Sequence, residues 1–124
     1  MEAAAPEQAV RVPARGSVAV GTRVEVGLLE VMTIEFQSTP FRAERFRELY
    51  EPAVPRVLAY GADGYLFYRS EDDPDHFVHV SFWEDRHDFD RYWLSHEMQG
   101  VRQNVAGLHA QPVLPHWNIL VSRG

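Results

Sequence analysis

The stretch HFVHVSFW, residues 76–83, constrains the fold more than any other part of the chain. Along an extended strand, alternate side chains point to opposite faces. Val78, Val80 and Phe82 then share one face, while Phe77, His79, Ser81 and Trp83 share the other. Both faces read as buried, so the strand belongs inside a sheet that something covers on each side. Upstream, YLFYRS is a second short β-rich run, and the polar, proline-containing EDDPD lies between the two. Such a pair reads as a hairpin.

The flanking segments supply the covering layer. VGLLEVMTIEFQ, from Val26 to Gln37, is rich in β-favouring side chains and reads as a strand interrupted by Glu30 and Glu35. Thr39 as N-cap and Pro40 at the first helical position predict a helix start. Phe41, Phe46, Leu49, Tyr50, Ala53 and Val57 then recur at roughly helical spacing as its core face. Pro52 and Pro55 lack amide donors and should break this helix near Glu51, leaving a second short helix to Ala59. After the central strand, Asp85 and Asp88 mark another helix start, with Phe89, Tyr92 and Trp93 on one side. Ser95 caps a further piece carrying Met98, Val101, Val105 and Leu108, with Gly107 as terminator. QPVLPHWNILVSRG is a β-rich end whose Pro112 and Pro115 suit an edge.

The order β-α-β-β-α-β predicts an α+β fold of ferredoxin-like type, with a four-stranded antiparallel sheet and its helices on one face. The other face, carrying Val78, Val80 and Phe82, would expose an apolar patch, so a homodimer through the sheet face is expected. At 124 residues the chain is one domain. Residues 1–22 lack a stable period and read as a flexible N-terminal arm, with a short strand at SVAV as the alternative; residues 23–124 form the domain.

Composition removes several classes of function. A net charge of -6 gives no footprint for nucleic acid or an anionic membrane. The absence of cysteine rules out disulfides, thiolate metal sites and a cysteine nucleophile, and suits a reducing cytoplasm. The N-terminus has Glu2 and Glu7 and no signal-peptide core, and the apolar runs are strand-sized, so a cytoplasmic protein that does not cross a membrane is expected. Metal sites find no support: His76 and His79 point to opposite strand faces, His87 and His96 read as surface or cap residues, and SEDDPD lacks the glycine and terminal glutamate of a calcium loop.

FVHVSFWEDRHDFDRYWLSHEM, a hydrophobic strand ending in Trp83-Glu84 and running into an aromatic-bearing helix, resembles the antibiotic biosynthesis monooxygenase-like family of the dimeric α+β barrel superfamily. The likeness in element order extends over about residues 26–122. It implies a dimeric α+β barrel. Some members of that family are cofactor-independent monooxygenases that oxidise polycyclic phenols of aromatic polyketide pathways to quinones. Their pocket between sheet and helices has a tryptophan at the end of the third strand, an asparagine four residues before it, and an arginine on the second helix. Trp83 matches the tryptophan, His79 stands at the asparagine position, and Arg102 lies near the arginine position. Other members degrade haem, but their helix tryptophan falls on Tyr92 and their axial histidine on Arg102, so neither matches.

The resemblance therefore implies oxidation of an aromatic or polyketide-like substrate by O₂, with no bound cofactor and no metal. His79 or an ordered water would accept the proton and Arg102 would stabilise the anion, as the catalytic pair. Trp83, Tyr92 and Phe89 would bind the small aromatic substrate. The alternative is a non-catalytic dimer of the same fold that binds a small ligand. Each residue also has a structural reading: Trp83 as a core anchor, His79 as a satisfied buried histidine, Arg102 in a solvent salt bridge. An inward Glu30 or Glu35 would be a candidate base, an edge position the alternative.

Overall fold

The computed structural model describes residues 29–110 and 113–124, so the arm expected over residues 1–22 lies outside the described residues. Strand β1 spans Glu30–Gln37, helix α1 Ala43–Tyr50, β2 Gly64–Arg69, β3 His76–Trp83, α2 Arg86–Trp93, α3 His96–Val105 and β4 His116–Ile119. A 3-10 helix, Glu51–Tyr60, extends α1, and a short one, Ala106–Leu108, follows α3. The sheet order is β2-β3-β1-β4 with every neighbouring pair antiparallel. This is the ferredoxin-like α+β fold that the element order predicts.

Register sorts the side chains into two faces. Opposite residues Met32↔Ser81, Ile34↔His79 and Phe36↔Phe77 lie under the helices and are buried. They meet Phe46 and Tyr50 of α1, Val54 and Val57 of the 3-10 helix, Phe89 and Tyr92 of α2, and Met98 and Val105 of α3 in one core cluster. Burying each large apolar side chain contributes about 1.5–3 kcal/mol, which fixes the register against a one-residue slip. The opposite face carries Val31, Thr33, Val78, Val80 and Phe82, with Leu66 and Tyr68 exposed on β2. No helix of this chain packs there among the described residues.

Local signals explain most boundaries. The Asp85 carboxylate accepts from the His87 amide at 2.9 Å and the Ser95 hydroxyl from the Met98 amide at 3.1 Å, so both expected caps are in place. Pro52 and Pro55 do end the α-helix, because neither can donate to an α-helical ladder; the chain continues as 3-10 helix to Gly61, whose φ of 110° closes it. A Cβ at Gly61 would meet Asp88 Oδ2 at 2.9 Å, a side-chain end that can shift, so it is the positive φ that favours glycine there.

One boundary differs from expectation. Helix α1 starts at Ala43, with Arg42 at the N-cap and no side-chain cap, rather than at Thr39 and Pro40. The Thr39 amide and hydroxyl both donate to the Leu108 carbonyl, so the side chain is committed to the end of the 3-10 helix that follows α3. Phe41 is not part of the core face: it takes φ 68° and is fully exposed. Neither the inward base nor the edge position holds: β1 is an inner strand, flanked by β3 and β4, in which Glu30 pairs with Arg86 at 2.7 Å and exposed Glu35 with His76 at 3.1 Å. No helix among the described residues is long and apolar enough to cross a membrane.

Candidate functional site

The residues singled out by sequence fall into two neighbouring places. His79 sits at the centre of β3 with no exposure, and its Nδ1 shares a 2.8 Å hydrogen bond with the Tyr50 hydroxyl. Its Nε2 is buried without a partner. Desolvation lowers the His79 pKa to about 3, so the imidazole is uncharged near neutral pH. Burial likewise pushes the Tyr50 and Tyr92 hydroxyls up, which keeps both protonated. Tyr92 donates to the Ala53 carbonyl at 3.0 Å. The Trp83 indole N–H finds its partner two residues back, donating to Ser81 Oγ at 2.7 Å. Trp83, Phe89 and Tyr92 pack against one another, with ring centroids 5.6, 6.1 and 6.4 Å apart. His79 joins them 6.4 Å from Tyr92. These four residues form a sealed aromatic layer.

Arg102 stands apart from that layer, on an open cleft of about 230 Å³ lined by Phe36, Trp93, Arg102, Val105, Ala106, His109 and Val113. Arg102 and Val105 come from α3, and Ala106 opens the 3-10 helix that follows it. The guanidinium lies over the Trp93 ring, 4.6 Å from its centroid, and Nη2 donates to the Trp93 carbonyl at 2.6 Å. Nε is buried and has no partner. Arg102 makes a backbone bond and a cation–π contact, and among the described residues it has no carboxylate partner.

The cleft and the sealed layer touch. Trp93 stacks on Phe89 at 5.8 Å, and Phe36 packs 4.6 Å from Tyr50, the partner of His79. Sequence reasoning missed Phe36, Trp93 and His109 as cleft walls. Trp93 had a signal, since it sits four residues after Phe89 and nine before Arg102. His109 had none: an isolated bridge with Ser38 places it, and that pairing is long-range. A smaller groove of about 160 Å³ beside β2 is lined by Arg47, Glu51, Phe67, Tyr68, Arg69 and Phe77. Its charges are already spent, Arg47 on Glu51 and Arg69 on Glu44, each at 2.8 Å. Among the described residues, no group of three or more His, Asp or Glu is placed to hold a metal ion.

A ferredoxin-like sheet with helices on one face and an aromatic cleft at their margin defines a class of small α+β protein. Residues 31–104 match the family model of the antibiotic biosynthesis monooxygenases, and the chain belongs to that family. No curated protein matches the sequence. Solved structures share the fold. A candidate antibiotic biosynthesis monooxygenase from Nitrosomonas europaea has 20% identity and a TM-score of 0.70, over 77% of this chain and 92% of that one. The protein Rv0793 of Mycobacterium tuberculosis has 20% identity and a TM-score of 0.67, over 77% and 97%. A conserved protein of Methanosarcina mazei has 14% identity and a TM-score of 0.69, over 77% and 96%.

Proposed function

We propose that the protein is a cofactor-independent monooxygenase that oxidises an electron-rich phenol in the Arg102 cleft. The observation that supports this reading is an arginine with no carboxylate partner among the described residues, lying on an aromatic ring in an open cleft. Loss of the phenolic proton gives a phenolate, and the Arg102 charge stabilises it in a partly dry site. The phenolate passes one electron to O₂, giving an aryloxyl radical and superoxide. The two combine at a ring carbon to form a peroxide. Loss of water across the O–O and C–H bonds leaves the quinone. A naphthol plus O₂ thus balances a naphthoquinone plus water, with no outside reductant.

Roles follow from position. Trp93 and Phe36 are the stacking walls, and His109, the imidazole among the cleft's lining residues, takes the phenolic proton. His79 is too weak a base and too enclosed to take it directly; it is a positioning residue that holds Tyr50 against Phe36. Trp83, Phe89 and Tyr92 form the floor that orients Trp93 through the Phe89 stack. Air incubation with naphthol- and anthrone-type phenols tests the reading: quinone above the blank is expected, and no oxygen uptake with any of them would overturn it. Binding without uptake would instead favour the non-catalytic ligand-binding protein, a reading that the uncharged, sealed state of His79 also suits.

A second copy of the chain is the partner we propose for the bare sheet face, where Val31, Leu66, Val80 and Phe82 make an apolar strip. Sedimentation should give a dimer, and Val80→Glu a monomer; a monomeric native chain would contradict it.

A further inference from the structure

The aromatic layer behind the cleft has an order that packing alone does not require. All three tryptophans of the chain touch one ring: Trp83, Trp93 and Trp117 lie 5.6, 5.8 and 5.6 Å from Phe89. Trp83 in turn lies 6.4 Å from Tyr92, and Tyr92 lies 5.6 Å from Tyr60. The series runs from a wall of the cleft, through the buried Trp83 and Tyr92, to half-buried Tyr60 at the end of the first 3-10 helix.

Charge gives the series a direction. A cation over an aromatic ring is attracted by the electrons of that ring, and it opposes removal of one of them. Arg102 stands over Trp93 at 4.6 Å and Arg86 over Trp117 at 4.9 Å, whereas among the described residues no cation stands over Trp83. An electron vacancy made on Trp93 is therefore more stable on Trp83. It cannot be fixed there by proton loss, because the indole N–H donates to the Ser81 hydroxyl and the Tyr92 hydroxyl to the Ala53 carbonyl, neither of which is a base. Tyr60 differs. Its hydroxyl donates to Glu97 Oε2 at 2.9 Å, and hydrogen bonds from Arg56 and Tyr60 hold that carboxyl below the usual carboxylate range, so it is ionised near neutral pH. A tyrosine that loses an electron beside a carboxylate also gives up its phenolic proton and becomes a neutral radical. Arg91 lies over Tyr60 at 5.8 Å, but a ring left uncharged is not opposed by it.

We infer that Trp93, Trp83, Tyr92 and Tyr60 form an electron-transfer path that drains an oxidising equivalent from the cleft to Tyr60 and Glu97. For its oxidant the inference rests on the oxygenase reading: homolysis of the O–O bond in the ring peroxide gives oxyl radicals. Such a radical takes one electron from Trp93 and one proton from solvent, leaving a hydroxyl compound. Trp83 refills Trp93, and Tyr60 refills Trp83 across the Tyr92 ring while its proton passes to Glu97. A soluble thiolate then returns the electron, and Glu97 returns the proton.

Pulse radiolysis with azide radical, which oxidises accessible indoles, tests the path with no phenol, O₂ or turnover. In the native protein, tryptophanyl absorbance should decay as tyrosyl absorbance rises, at one rate that does not depend on protein concentration. Tyr60→Phe should slow that decay at least about tenfold and remove most of the tyrosyl signal, and Glu97→Gln should slow it about as much. Tyr68→Phe, on the exposed sheet face, should leave the rate within about twofold. Melting temperatures within a few degrees of native show that the Tyr60 and Glu97 variants are folded. A native rate in Tyr60→Phe, or tyrosyl signal that rises without tryptophanyl decay, would overturn the inference. Radical transfer in a protein that forms no quinone from any phenol would sink the oxygenase reading alone; quinone formation without radical transfer would sink the path alone.

Discussion

His79 and Arg102 each carry a buried nitrogen without a partner, yet the fold treats them in opposite ways. His79 is enclosed by Tyr50, Phe67 and Tyr92 and loses its charge to desolvation. Arg102 lies beside open space, with its guanidinium over the Trp93 ring. Residue type alone would make the histidine the better catalyst. Surroundings reverse the order: a sealed imidazole can position, while a cation on a cleft can act on a ligand.

The largest effect that separates the two is acid sensitivity. The folded pKa of His79, about 3, lies below its unfolded value of 6.5. The unfolded chain therefore binds a proton between those values that the folded chain refuses. Stability from this group is fully present above about pH 6.5 and is lost progressively as pH falls toward about 3, by up to about 4–5 kcal/mol. Denaturant unfolding across that window should show the loss, with a shallower profile in His79→Gln; identical profiles would place His79 in contact with water.

Next in size is the floor beneath the cleft. Trp83→Ala should cost about 3–5 kcal/mol in denaturant unfolding, because the indole is fully buried against Phe89 and Tyr92 and its N–H is bonded. A loss under about 1 kcal/mol would mean that Trp83 already borders a void. Smallest are the caps. Asp85→Ala and Ser95→Ala should each cost about 1 kcal/mol. The Ser95 change frees the start of α3, whose far turn carries Arg102, so it should also slow naphthol oxidation slightly; stability loss with unchanged oxygen uptake would uncouple the two.

How much of this was legible in the sequence depends on how local each cause is. The period-two pattern of HFVHVSFW gave β3 at its observed bounds and put His79 and Trp83 on one face. Asp85, Ser95, Pro52 and Pro55 acted as their short-range chemistry predicts. Thr39 failed as a cap because a partner 69 residues away took its hydroxyl. The site was only half visible for the same reason. Arg102 stood out as a charge on an apolar helix face, but its neighbours Phe36 and His109 come from β1 and from the turn after α3. Only the packed sheet and helices bring those residues together. Sequence also could not separate Tyr92 from Trp93, adjacent on α2, into core floor and cleft wall.

The measurement that bears most directly on the division between sealed histidine and open arginine is oxygen uptake with a naphthol, comparing the native protein with Arg102→Gln. If the cleft is where chemistry occurs, kcat/KM should fall at least about tenfold in the variant while its melting temperature stays within a few degrees. Native kcat/KM in a folded Arg102→Gln protein would contradict the account.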